Sequence, residues 1–208
     1  HYLRIDEEET DLIPTDVENQ LFTTISSLVQ TADVLIFQDY NKGVLSPNLI
    51  KSVTQLCKDS NVPIVVDPKH DQFFDYQNCT LFKPNRKEIV EAYQLKEEEN
   101  HDIQSLAQRL RKDLNAKNVM TTLSEEGVLI INDQEHHHLP AHPRKILDVS
   151  GAGDSVLSVA ALCVALELPD PTIAGLANLA GGLVCEKIGV VPVDKAQLLD
   201  EAMKLEKV

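Results

Sequence analysis

The 208-residue chain contains no apolar run approaching the roughly 18 residues that a membrane-spanning helix requires. Its opening, His1-Tyr2-Leu3-Arg4-Ile5, lacks the charged-then-apolar layout of a secretory signal, so a cytoplasmic protein is expected. No CxxC pair occurs. Cys57, Cys79, Cys163 and Cys185 are widely spaced, three of them in helix-like segments, which predicts buried free thiols rather than disulfides or a zinc site. Basic residues are scarce, 19 Lys and Arg against 33 Asp and Glu, for a formal charge of −14. That balance excludes an extended nucleic-acid backbone as partner, while leaving small anions open to a few local Lys, Arg and backbone N–H groups. Internal repeats and low-complexity linkers are also missing.

What remains has the composition of one ordinary globular domain spanning residues 1–208, with 43% hydrophobic and 25% charged residues. Short apolar runs alternate with amphipathic stretches, the pattern of a mostly parallel sheet covered by helices on both faces. Strands are predicted at 34–37, 62–66, 80–83, 119–123 and 128–131 and near 138–139, the last ones as antiparallel hairpins. Helices are predicted from Asp16 with Thr15 as cap, from Ser46-Pro47 to about Lys58, after Pro84-Asn85, over 101–114, 154–166 and 171–187, and from Asp194. The acidic run Glu97-Glu98-Glu99 reads as a solvated connection. Position 1 is not methionine and the first residues look like the middle of a strand, so the chain is expected to be a fragment of a longer domain.

The segment Asp148-Val149-Ser150-Gly151-Ala152-Gly153-Asp154-Ser155 leads directly into an apolar helix. Glycines let the backbone approach a ligand closely, and a helix start offers free N–H groups and a positive dipole end, which suits an anion. Asp154 is unusual there, since a carboxylate repels an anionic ligand. Phosphoryl transfer supplies a reason: it needs a group to take the acceptor hydroxyl's proton and fixed positive potential for the transferring group. Asp154 would be that base, with the amides of Gly151, Ala152, Gly153 and Asp154 holding the phosphoryl oxygens. An ordinary helix N-cap is the competing reading of the same aspartate. A dinucleotide fingerprint lacks its third glycine, and neither a GKS nor a GKT of a P-loop occurs.

DVSGAGDSVLSVAAL resembles the C-terminal signature of the PfkB, or ribokinase-like, carbohydrate kinases. Lys83-Pro84-Asn85-Arg86-Lys87-Glu88 is similar to the family's PNxxE motif, Thr122-Leu123-Ser124-Glu125-Glu126-Gly127 to its TLGxxG turn, and Ala177-Asn178-Leu179-Ala180 to a helix lining the adenine. The resemblance implies a three-layer α/β/α fold, here without its N-terminal part. It further implies ATP and Mg²⁺, with a monovalent cation and a homodimer as companions. Asn85 and Glu88 would organise magnesium through water, with Thr122, Ser124, Gly127 and Asn178 beside the nucleotide. Helix capping by Asn85 and Glu88, and a satisfied polar role for Asn178, are the structural alternatives.

Within that family Leu3-Arg4-Ile5-Asp6, Gln38-Asp39-Tyr40-Asn41-Lys42-Gly43, Val65-Val66-Asp67-Pro68-Lys69, the 122–127 turn, Val159 and Glu186-Lys187-Ile188-Gly189 look like the heptose-phosphate kinases. The implied acceptor is a sugar phosphate, heptose 7-phosphate at its anomeric oxygen, with Lys42 and Lys69 as candidate phosphate partners or solvated strand-end lysines. Gln38 and Asn41 replace a commoner serine and small residue, His70 a glycine, and Val190-Val191 a threonine-containing turn. No HxGH nucleotidyltransferase motif occurs in these residues. The family's sugar-gripping region precedes its LRID-like strand, so this span alone is expected to transfer poorly. An ATP-dependent dehydratase of hydrated nicotinamide nucleotide is a rival with the same fold, disfavoured by the PNxxE match. A non-catalytic nucleotide-binding module is another. His136-His137-His138 reads as solvated hairpin residues, because neighbours on a strand point to opposite faces.

Overall fold

The computed structural model describes residues 7–96, 99 and 101–205. The strand-like start at Leu3-Arg4-Ile5-Asp6 and the acidic residues Glu97 and Glu98 lie outside them. Among the described residues, six strands form one sheet in sequence order: β1 (Leu35–Gln38), β2 (Ile64–Asp67), β3 (Leu81–Phe82), β4 (Asn118–Thr122), β5 (Val128–Ile131) and β6 (His136–Leu139). Strands β1 to β4 run parallel, and β5 and β6 add an antiparallel hairpin, as the sequence pattern predicts.

Among the described residues, seven helices cover the sheet: α1 (Thr15–Val29), α2 (Pro47–Asp59), α3 (Arg86–Ala92), α4 (Ile103–Asp113), α5 (Ala152–Ala165), α6 (Asp170–Cys185) and α7 (Lys195–Leu205). The period of two along each strand divides the core. Ile64, Val66, Phe82, Val119, Leu129 and Ile131 face helices α1 to α4, whereas Val65, Leu81, Met120, Val128 and Ile130 face α5 and α6. Both faces of the central strands are therefore buried, which is why those strands read as continuous apolar runs. On β1, at the sheet edge among the described residues, Ile36 points to the α5 side and is 42% exposed.

Local chemistry sets the helix starts. The Ser46 side chain accepts the Leu49 N–H at 3.0 Å, with Pro47 in the first turn, as expected. Thr15 does not cap α1. Pro14 occupies the N-cap with extended ψ and its carbonyl takes the Glu18 N–H at 2.9 Å, so Thr15 becomes the first helical residue. All four cysteines are free and buried, again as expected. His138 reaches the Glu126 carbonyl at 2.8 Å, His137 lies beside Glu135, and His136 meets Gln104. No cluster of three or more metal-binding side chains is present among the described residues.

Helices α5 and α6 pack closely because Gly181 lacks a side chain: a Cβ there would lie 2.7 Å from Val156 Cγ2. Val156 is buried and β-branched and has little freedom to move. Gly181→Ala should therefore lower stability by about 1–2 kcal/mol, overpacking exceeding the helix-propensity gain of up to about 1 kcal/mol. Urea denaturation would measure it, and a more stable variant would refute the tight contact.

Candidate active site

The parallel strands end on one edge of the sheet, and the polar residues gather there. Gln38 is the last residue of β1, Asp67 the last of β2, and Lys83 follows β3 directly. Lys83 Nζ and Asp67 Oδ1 form a 2.8 Å ion pair with side chains only 5% and 9% exposed. The other oxygen, Asp67 Oδ2, accepts a hydrogen bond from Gln38 Nε2 at 2.9 Å. From the opposite side, the first turn of α5 brings Asp154, whose Oδ1 lies 3.4 Å from the same Gln38 nitrogen.

The turn before α5 has the features an anion site requires. Gly151 is the N-cap in left-handed conformation (φ 78°), and no side chain caps the helix. A β-carbon at Gly151 would meet Val190 at 3.0 Å, so both φ and space favour glycine. Helical bonding starts with Ser155 N–H to the Gly151 carbonyl, and the Ala152 amide is turned to the Val149 carbonyl. The amides of Gly151, Gly153 and Asp154 have no protein acceptor among the described residues. Asp154 is thus the third helical residue and caps nothing, which removes the N-cap reading of its carboxylate. A Cβ on Gly153 would lie 4.0 Å from Lys83 Nζ, so the buried ammonium sits close behind the turn.

The turn is anchored from below. Asp148 Oδ1 accepts the Ser150 N–H and hydroxyl, and Oδ2 accepts the Gly189 N–H at 2.9 Å. The Ser150 amide, then the Gly189 amide and the Ser150 hydroxyl, draw its carboxyl down to about 2. Arg144, largely buried, joins Glu186 at 3.1 Å and Glu201, tying the approach to the turn to α6 and α7.

Further along the same edge, Asn85 caps α3 in a reciprocal box. Its Oδ1 accepts the Glu88 N–H, and Glu88 Oε2 accepts the Asn85 N–H, both at 2.8 Å. Glu88 Oε1 pairs with Lys69 Nζ at 2.7 Å. Burial opposes the Lys69 charge, but Glu88, with Asp67 and Asp39 behind it, holds the ammonium above its ordinary range. Thr122 lies beside Asn85 through a parallel bridge, and Arg86 meets Glu126 at 2.7 Å, so the PNxxE-like motif and the 124–127 turn adjoin. Ser124 begins a short 3-10 turn (Ser124–Glu126), and Gly127 (φ 94°) packs where a Cβ would be 2.1 Å from the Leu139 carbonyl oxygen. Asn178 donates to the Pro140 carbonyl at 2.9 Å, placing it against that same segment. Lys42 is the exception, pairing with Glu8.

Residues 2–196 match the profile of the pfkB family carbohydrate kinase. The chain belongs to this family. The bifunctional protein HldE of Trichlorobacter lovleyi is 35% identical over 198 residues, 95% of this chain and 40% of its own length. The chain thus spans less than half the length of the curated relatives it matches. Phosphofructokinase-2 from Escherichia coli, solved in complex with potassium, superposes with a TM-score of 0.84 at 18% identity, over 94% of this chain and 64% of that one. Arabidopsis thaliana ribokinase, solved with ribose and ATP, gives 0.72 at 16% identity over 91% and 59%. These similarities bear out the ribokinase-like three-layer fold.

Gln38, Asp67 and Lys83 lie in three separate sequence segments, and nothing in their spacing shows a joint role. Their partnership arises only when three strand ends are brought side by side, and the sole local hint is a lysine directly after a strand buried on both faces. Lys83→Ala should cost about 3–5 kcal/mol by leaving Asp67 charged and unpaired, whereas Lys83→Met combined with Asp67→Leu should recover most of that loss. Chemical denaturation of both variants checks this; equal destabilisation would show that the pair is not the determinant.

Proposed function

We propose that this chain supplies the nucleotide-binding and phosphoryl-transfer part of an ATP-dependent sugar kinase, with heptose 7-phosphate phosphorylated at the anomeric oxygen as the acceptor reaction. The observation that carries the reading is Asp154: a carboxylate in the first turn of an uncapped helix, making no cap, beside the unpartnered amides of Gly151, Gly153 and Asp154. A carboxylate that serves only stability at that position would be expected to bond the free amides around it.

In the proposed reaction the acceptor hydroxyl gives its proton to Asp154 as its oxygen forms a bond to the γ-phosphorus. The bond from that phosphorus to the β-phosphate oxygen breaks, and ADP leaves. The three amides and the positive end of α5 receive the charge of the transferring group without reorganising. Thr122, Ser124, Gly127 and Asn178 would flank the nucleotide, at the β4 to β6 end of the same sheet edge. Lys69 is the better placed of the two candidate phosphate lysines, since it borders Glu88 and the strand ends, while Lys42 must first exchange Glu8.

Magnesium fits this arrangement in one way. Asn85 Oδ1 is used by the cap and each Glu88 oxygen already accepts one hydrogen bond, so Glu88 has lone pairs left for a metal-bound water rather than a closed protein cage. Mg²⁺ prefers such sites, keeping several waters and binding phosphate oxygens, whose charge it offsets. The complex of the phosphofructokinase relative with potassium, and that of ribokinase with ATP, support a monovalent cation and ATP as companions. The heptose assignment rests on the sequence segments shared with heptose-phosphate kinases and on the likeness to HldE proteins.

In the longest natural polypeptide carrying this chain, Asp154→Asn should retain ATP affinity within about threefold and lose at least ~10³-fold in kcat, because the amide keeps the shape but accepts no proton. Calorimetric ATP titration with a coupled heptose 7-phosphate assay tests both, and near-normal turnover would remove the base assignment. Glu88→Gln keeps an acceptor for the Asn85 amide and loses only a partly exposed ion pair worth up to about 1 kcal/mol, so the melting temperature should barely change. The magnesium concentration for half-maximal activity should nonetheless rise several-fold. An unchanged magnesium dependence would return Glu88 to helix capping alone.

A further inference from the structure

We infer that Gln38 is a positioning residue for Asp154, holding the carboxylate through an amide that is itself fixed by the Asp67–Lys83 pair. The inference rests on the reading of Asp154 as the base. One nitrogen, Gln38 Nε2, faces two carboxylates: Asp67 Oδ2 at 2.9 Å and Asp154 Oδ1 at 3.4 Å. A primary amide nitrogen carries two N–H bonds, so it can donate one to each, and it brings no charge of its own. Asp67 cannot turn away to satisfy itself elsewhere, because its Oδ1 is bound to the buried Lys83 ammonium. The order of constraint therefore runs from the closed ion pair, through Gln38, to the one carboxylate that is exposed.

The 3.4 Å separation is long for a hydrogen bond, as catalytic contacts often are before substrate binds. Geometry nonetheless selects this side chain. Asp154 has no other hydrogen-bond donor to its carboxylate among the described residues, and its backbone carbonyl is taken by Ser158 Oγ at 2.7 Å. A free aspartate on an exposed helix turn samples several rotamers, only some of which point at an acceptor above the strand ends. A donor anchored on β1 chooses among them.

Two substitutions separate this role from mere packing. Gln38→Met keeps length and volume without a donor, and Gln38→Glu places a third carboxylate between the other two. In the complete polypeptide, kcat should fall roughly tenfold for Gln38→Met and further for Gln38→Glu, with KM for ATP within about twofold of wild type. Placed on top of Asp154→Asn, neither should lower kcat further, since a residue acting through Asp154 has nothing left to orient. Additive losses, or a rise in KM with kcat unchanged, would overturn the inference. A measurement that does not depend on turnover completes the test: crystal structures should show Asp154 in one conformer in wild type and in several in Gln38→Met. An unaltered, single Asp154 conformer in the variant overturns the positioning role even where Asp154 proves to be the base. A fully active Asp154→Asn overturns the base reading instead, and with it any catalytic meaning of the contact.

Discussion

The ion pair between Lys83 and Asp67 is the constraint around which the strand-end site is built. Two charges withdrawn from water are expensive unless each finds close partners, and here each does: Lys83 takes one Asp67 oxygen, Gln38 donates to the other. Satisfying that requirement fixes the ends of β1, β2 and β3 relative to one another. It also leaves a positively charged group behind the glycine turn, where an anion would lie. Hydrophobic residues of similar volume would hold the strands as well. They would supply neither an anchored amide beside Asp154 nor positive potential under Gly153, so the polar solution adds oriented and charged groups that packing alone would not provide.

The site then divides along the sheet edge. At the β1 to β3 end lie the groups that the proposed phosphoryl transfer would use, namely Asp154, the three amides without a protein acceptor among the described residues and the buried pair. Toward β4 and β6 lie Asn85, Thr122, the 124–127 turn and Asn178, joined by the Asn85–Thr122 backbone bridge and by the Asn178 side chain on the Pro140 carbonyl, with any side chain larger than glycine clashing at Gly127. Asp148, bonded on one side to Ser150 and on the other to Gly189, sets the height of the glycine turn against the α6 end. Its charge is thus taken up by backbone amides and the Ser150 hydroxyl.

Local signals were legible in the sequence, and assembled ones were not. The run 128–131 forms a strand with those bounds, and Ser46-Pro47 and Asn85 start helices because caps and proline act within one turn. Thr15 misled because hydroxyl preference for the N-cap ignores that Pro14 already has the extended backbone the cap requires. Helix α5 begins two residues earlier than the apolar pattern indicates, since glycine and alanine carry no hydrophobic signal. That shift moves Asp154 from the helix start to its third residue, which changes what its side chain can reach. Gln38 and Asp154 are 116 positions apart, and no spacing rule connects them.

Two of the helices that carry motif residues, α3 and α5, reach stability by opposite routes, and that difference separates structural from chemical roles. Helix α3 has only seven residues and buries Ile89 and Val90, so it depends on closing its free N–H groups, and Asn85 with Glu88 does this reciprocally. Helix α5 has fourteen residues, eight of them buried between the sheet and α6. Packing along its length sustains it without a cap, so its first turn can leave amides open and hold a carboxylate that bonds none of them. Unsatisfied donors are tolerable there because they face solvent, or a ligand, rather than the core. In α3 the side chains that could meet a ligand are also the ones that hold the helix, so their removal disturbs structure as well as binding. In α5 the two functions lie on different parts of the helix, and Asp154 is free to be judged by chemistry alone.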